Sequence, residues 1–309
     1  MNVLTGERLF EPFMDPVDGV VCLPAETNAA GVDKQAAPAG WRFPLWLDHG
    51  LPLRDQVRSS SHAPASSRFG PYGDNITGMN WLRPDGKTVR VGERVVKSTT
   101  GYDLLRFLLE SGERYGRPLD YVLRLRPLCD TSCVWHLRGE RASLSRAALA
   151  VLHSSWIHWL ESFDGIVDGQ TSSLRAAAHC PSEEVETFEG YLAGMAEEHG
   201  LEIEASASAV FPAVGLPDFV LKTTVDRAFQ TAFDLSANPG VQCVALCSNG
   251  VVLGYVADPG SILELLQPLE TDLHAQGGDW RSRHGTDRIA ASPESGWIAT
   301  LGKEWKAAI

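Results

Sequence analysis

Two apolar runs, Val241 to Cys247, which alternates, and Val251 to Val256, flank Asn249-Gly250. Alternation with period 2 gives a strand one apolar face, and Asn-Gly takes the positive φ of a tight hairpin turn, so this stretch predicts an antiparallel pair. The neighbouring segments must supply what covers that face. Strands are expected at Val134 to Leu137, Leu174 to His179, Ile203 to Ala207 and Phe219 to Thr224. A helix starting at Ser143 or Ser145 is expected to carry Leu149, Leu152, Trp156, Trp159, Leu160 and Phe163 on one stripe. A second starts at Ser182, with Glu183 and Glu184 in its first turn, Val185, Phe188, Leu192 and Met195 inward, and Gly200 after its end. Ser261 to Leu273 is helical, interrupted by Pro268. Strands interleaved with helices in this order predict an α+β domain over 128–309, with helices on one face of an antiparallel sheet.

The preceding residues read differently. Extended segments are expected at Gly19 to Leu23 and Arg42 to Leu47, then a hairpin of Ile76 to Leu82 and Thr88 to Val91 turning at Pro84-Asp85-Gly86-Lys87. Thr99 or Thr100 can cap a helix bearing Leu104, Leu105, Phe107 and Leu108 that stops at Gly112, and Tyr121 to Leu125 alternates as a strand ended by Pro127. These elements form a first domain, 1–127.

Composition bounds the function. A chain of 309 residues with 44% hydrophobic content can bury a core and suggests about two domains of ~150 residues. Its 27 basic and 39 acidic residues leave a formal charge of -12, the wrong sign for general binding to nucleic acid or anionic membrane. No run reaches the ~18 apolar residues of a membrane span, and Met1 to Arg8 lacks the opening of a secretory signal, so a soluble cytoplasmic protein is expected. Cys22, Cys129, Cys133, Cys180, Cys243 and Cys247 are too sparse for a disulfide scaffold. Neither Cys129/Cys133 nor Cys243/Cys247 has zinc-knuckle spacing, so no metal site is expected and the thiols read as small buried hydrophobes. Gly86-Lys87-Thr88 ends like a phosphate loop, but Trp81 stands where its first glycine is required.

Residues 66 to 126 carry the specific signal. Ser66-Ser67-Arg68-Phe69-Gly70-Pro71-Tyr72-Gly73-Asp74-Asn75-Ile76-Thr77-Gly78 precedes the Asp85-Gly86 hairpin. Val96-Lys97-Ser98-Thr99-Thr100-Gly101-Tyr102-Asp103-Leu104 follows, and then Gly112-Glu113-Arg114-Tyr115-Gly116 before Leu123-Arg124-Leu125-Arg126-Pro127. In order and spacing these four elements resemble the second half of the FAD-binding domain of the FAD-linked oxidases, the vanillyl-alcohol oxidase or p-cresol methylhydroxylase type. The nearest likeness is to glycolate oxidase subunits. The resemblance implies an α+β fold: a p-cresol methylhydroxylase-type FAD-binding domain, expected to be truncated before its phosphate loop, followed by an α+β cap domain.

The resemblance further implies FAD as cofactor, with contacts from Ser66, Ser67, Gly70, Gly73, Asp74, Asn75, Ile76, Thr77, Gly78, Lys97, Thr100, Gly101, Tyr102 and Asp103. Small residues let backbone N–H groups approach phosphate oxygens, which is the physical sense of such a run. The usual Gly-Thr-Leu-Gly turn is Glu113-Arg114-Tyr115-Gly116 here, and the His-x-Gly-Asp-Gly-Asn-like run of catalytic members has no counterpart. No catalytic residue is assigned. That pattern resembles the accessory subunit of a glycolate oxidase-like 2-hydroxy-acid dehydrogenase complex, which works beside a catalytic flavoprotein subunit and an iron-sulfur subunit. Two alternatives stay open: a flavin-free structural subunit that docks on a catalytic flavoprotein, and a ligand-binding module that uses an interdomain cleft.

Overall fold

The computed structural model describes residues 9–59, 62–94, 104–111, 114–129, 131–169, 171–206 and 215–282. Strands β1 (Phe13–Asp15) and β2 (Val20–Pro24) lead into helix α1 (Ala29–Ala36), strand β3 (Trp41–Arg42) and the short helices α2 (Leu53–Ser59) and α3 (Ser66–Phe69). Strands β4 (Ile76–Leu82) and β5 (Thr88–Gly92), helix α4 (Leu104–Glu110), and strands β6 (Arg117–Arg124) and β7 (Arg126–Pro127) complete the first part. Five strands pair antiparallel in the order β1-β2-β6-β4-β5, while β3 and β7 form a separate two-stranded ladder. Val21, Leu23, Met79, Trp81, Tyr121 and Leu123 turn one face of the larger sheet to α1, α2 and α4.

The second part begins with β8 (Thr131–Arg138), α5 (Arg141–Leu152), β9 (Ser162–Asp168), β10 (Thr171–Cys180), α6 (Val185–His199) and β11 (Glu202–Ser206). It continues with β12 (Phe219–Lys222), α7 (Ala228–Ser236), β13 (Val241–Leu246), β14 (Val251–Val256), α8 (Ile262–Leu266), α9 (Glu270–Ala275) and β15 (Asp279–Ser282). Its eight strands pair antiparallel in the order β11-β8-β10-β9-β13-β14-β12-β15. One face packs on the helices through Trp135, Phe163, Leu174, Phe188, Leu192, Phe229 and Ala245. The other turns towards the first part, where Val244, Leu246, Val251 and Leu253 meet Trp46. The expected α+β class and the helices on one sheet face are therefore present.

Several expectations need correction. The helix expected to run from Ser143 to Phe163 ends at Leu152, and it buries Leu144, Ala147, Ala148 and Val151 instead of the projected stripe. Leu149 and Trp159 are exposed, and Phe163 belongs to β9, a strand that the helical spacing of the tryptophans concealed. Helix α7 was not expected at all; its Phe229 and Phe233 stack edge to face at 4.7 Å against the sheet. Both hairpins turn more widely than a two-residue loop. Arg83 N–H donates to the Lys87 carbonyl with Gly86 at φ 79, and a 3-10 turn, Cys247–Asn249, precedes Gly250 at φ 67. Of the extended segment expected from Arg42 to Leu47, only Arg42 is in a strand. The caps at Thr99 or Thr100 and the stop at Gly112 lie outside the described residues.

Candidate functional site

A narrow cleft with about 30 Å³ of space inside, room for about one water molecule, lies where the two parts meet. Trp46, Asp48, His62, Ala63, Pro64 and Tyr72 come from the first, and Leu216, Leu253 and Tyr255 from the second. The loop carrying Asp48 is fixed by its own polar groups: Asp48 N–H donates to Gln56 Oε1 at 2.7 Å, and Gln56 Nε2 donates to the carbonyls of Asp48 and Leu51. The Asp48 carboxylate accepts from Gly50 N–H at 2.7 Å and from Gly215 N–H at 2.9 Å, tying the two parts together. Tyr72 O–H donates to the Trp46 carbonyl at 2.9 Å, and its ring stacks on Phe43. The walls are thus aromatic and held from behind.

Burial raises the Tyr72 and Tyr255 phenols above their usual range, and the nearby charge of Asp48 adds to the effect in both. Burial, with the cations Lys222 and Arg281 close by, holds the His62 imidazole below its ordinary value. His62 is neutral at pH 7 as a result.

The expected cofactor residues form the corner behind this cleft. Ser66 is buried and its Oγ accepts from Ala63 N–H at 2.9 Å, holding a turn in which Ala65 has a φ of 75. Ser67 is exposed. Gly70 has a φ of 79, and a Cβ there would approach the Asp74 carboxylate to 2.4 Å. Gly73 sits against Arg106 and Leu109 of α4, and Asp74 makes an ion pair with Arg106. Asn75 is fully buried; its Nδ2 donates to the carbonyls of Phe69 at 2.9 Å and Pro71 at 3.1 Å. Asn75 Oδ1 is buried with no hydrogen-bond partner among the described residues. Ile76 is in the core, Thr77 Oγ1 donates to the Val122 carbonyl, and Gly78 admits the ring of Phe10.

None of these nine residues lines the cleft, although Ala63, Pro64 and Tyr72, interleaved with them, do. Lys97, Thr100, Gly101, Tyr102 and Asp103 lie outside the described residues.

The sequence did not point to a buried charged row on the same face of the large sheet. Asp164 on β9 lies opposite Arg175 on β10, and Arg175 Nη1 donates to Asp164 Oδ2 at 3.3 Å and to Ser162 Oγ at 2.9 Å. Burial pushes the Asp164 carboxyl up to about 6, although Arg175 opposes the rise. Next to it, Glu161 binds both terminal nitrogens of Arg42 at 2.9 Å and contacts His179 Nδ1. Burial alone would raise the Glu161 carboxyl, but His179 and Arg42 together hold it below its usual value. Arg42 belongs to the first part, so this cluster is a second tie across the junction. Among the described residues, no group of His, Cys, Asp or Glu is placed to hold a metal ion, and no helix is long and apolar enough to cross a membrane.

This architecture recurs in solved structures. Two structures of alkyldihydroxyacetonephosphate synthase match at TM-scores of 0.59 and 0.62, with 11% and 12% identity, over 85% and 90% of this chain. Chitooligosaccharide oxidase matches at 0.64 with 11% identity, over 88% of this chain and 70% of its own. At such identities the likeness establishes the fold, which is the FAD-linked-oxidase type implied by residues 66 to 126. The chain spans 63% of the synthase. In sequence, 95 residues, 31% of this chain and 17% of the relative, are 28% identical to D-lactate dehydrogenase [cytochrome], mitochondrial, of Arabidopsis thaliana. No protein-family model matches the chain.

Proposed function

We propose that the chain is a FAD-linked oxidoreductase-type subunit, accessory within a glycolate oxidase-like assembly that oxidises a 2-hydroxy acid beside a catalytic flavoprotein subunit and an iron-sulfur subunit. The observation that carries this reading is the FAD-linked-oxidase-type fold, which contains the corner, Ser66 to Gly78, whose sequence resembles those oxidases. The orphaned Asn75 Oδ1 leaves a buried acceptor in that corner. The partial likeness to a lactate dehydrogenase points to a 2-hydroxy acid as the substrate class. A flavin held there would supply the two-electron redox chemistry, while the chain orients it and excludes water.

One observation favours the flavin-free alternative. The described polar groups of Ser66, Asp74, Asn75 Nδ2 and Thr77 are spent on the chain itself, so the phosphates would depend on Lys97, Thr100, Gly101, Tyr102 and Asp103. The deciding experiment is an absorbance spectrum after incubation with FAD and desalting. Retained bands near roughly 370 and 450 nm, bleached by a 2-hydroxy acid, support the first reading. A folded protein that retains no flavin but co-purifies with a flavoprotein supports the second.

A further inference from the structure

Apart from the cleft, the junction of the two parts carries a cluster of arginines. Arg42 and Arg126 lie directly across from one another in the β3–β7 ladder, an arrangement of like charges that weakens a two-stranded pairing unless something neutralises it. Arg68 joins them: the guanidinium carbons of Arg42, Arg68 and Arg126 stand 5.7, 5.6 and 5.4 Å from the ring centroid of Phe69. The carboxylate present is Glu161, and it is committed to Arg42 and His179. Arg126 donates to its neighbour's carbonyl, Leu125, at 3.0 Å, and Arg68 to the Trp159 carbonyl at 3.2 Å. A carbonyl satisfies a donor but leaves the charge in place. Among the described residues no carboxylate pairs with Arg68 or Arg126, in a chain with 39 acidic residues. Burial, then the neighbouring Arg124 and Arg42, press on Arg126 towards losing its proton, the mark of a crowded cation. Arg42 Nε is buried without a hydrogen-bond partner among the described residues.

We propose that this junction binds a small oxyanion, a phosphate or carboxylate group, held by Arg68 and Arg126 beside the Arg42–Glu161 pair. The planar fork of a guanidinium matches two oxygens of such a group. Arg68 and the half-exposed Trp159 keep the place open to solvent. None of these residues lines the cleft of Trp46 and Tyr255.

The test is thermal unfolding of the full chain, followed by circular dichroism, in titrations of inorganic phosphate and of citrate against sodium chloride at equal ionic strength. The expected result is a saturable rise in Tm with phosphate or citrate that chloride does not give. Arg68→Gln, an exposed position that the fold tolerates, and Arg126→Gln should each raise the half-saturating concentration about tenfold or more, the loss of one charge-assisted hydrogen bond. A stronger response to phosphate assigns a phosphorylated ligand, and a stronger response to citrate a carboxylate. The absence of a saturable response in the unmodified chain, or a response undiminished in both variants, overturns the proposal.

Discussion

Replacing Asp164 by Asn tests whether the charged row on the large sheet is held at a cost. Asp164 is 2% exposed and its carboxyl is pushed up to about 6 from an ordinary 3.8, burial outweighing the attraction of Arg175. A folded value above the unfolded one means that the group's contribution is fully present below pH 3.8 and is lost as pH rises through 6. Two units and a little more at about 1.4 kcal/mol each give a loss of about 3 kcal/mol across that window. Asn keeps the shape and cannot ionise. Unfolding by urea, followed by circular dichroism at pH 4.5 and pH 7.5, should therefore show the unmodified chain losing stability relative to Asp164→Asn by about 2–3 kcal/mol between the two. Arg175→Met removes the charge that opposes the rise, so in that variant the loss should move to higher pH. A constant difference between the unmodified chain and Asp164→Asn, with the variant less stable by about 3–5 kcal/mol at both pH values, would mean that the ion pair more than repays its desolvation and would refute the reasoning.

Gly165→Ala puts a Cβ 2.1 Å from the Phe229 ring and should cost about 1–3 kcal/mol in the same assay, with part restored by Phe229→Leu. Asn75→Ala strands the carbonyls of Phe69 and Pro71 and should cost about 1–3 kcal/mol even without flavin, whereas a residue kept for the cofactor alone would leave apo stability unchanged. Trp46→Ala removes the ring that packs on Val244, Leu246, Val251 and Leu253 and should cost about 2–4 kcal/mol in urea unfolding, whereas unchanged stability would mean that this contact does not hold the junction. Burial pushes the thiols of Cys22 and Cys243 up to about 12, so both should resist a thiol reagent at pH 8 until the chain is unfolded.

The elements that could be read from the sequence are those whose burial pattern is simple. The strands β13 and β14 read as short, almost continuous apolar runs because one face meets helices and the other meets Trp46. Helix α6 was readable except at its start, where Ser182–Glu184 form a 3-10 turn, because its inward positions recur at helical spacing and Gly200 ends it with φ 66. Helix α7 escaped because it has nine residues and no side-chain cap, and Phe229 and Phe233 are too short a pattern to outweigh their surroundings. The cleft was beyond reach for another reason. Asp48, His62 and Tyr255 meet only through the approach of two sheets, and no spacing along the chain encodes that approach.

The charged row shows why alternation alone misleads at such a junction. In β9, Ser162, Asp164 and Ile166 share a face opposite to Phe163, Gly165 and Val167, and in β10 Arg175, Ala177 and His179 alternate with Leu174, Ala176 and Ala178. Polar residues at every second position normally mark the solvent side of a half-buried strand. Here the first part covers that side, so Asp164 and Arg175 are both under 5% exposed and Glu161 and Arg42 must neutralise each other across the boundary. A charge buried by another unit is tolerated only where its partner is supplied with it, which fixes how the two parts meet as firmly as the apolar contact of Trp46 does.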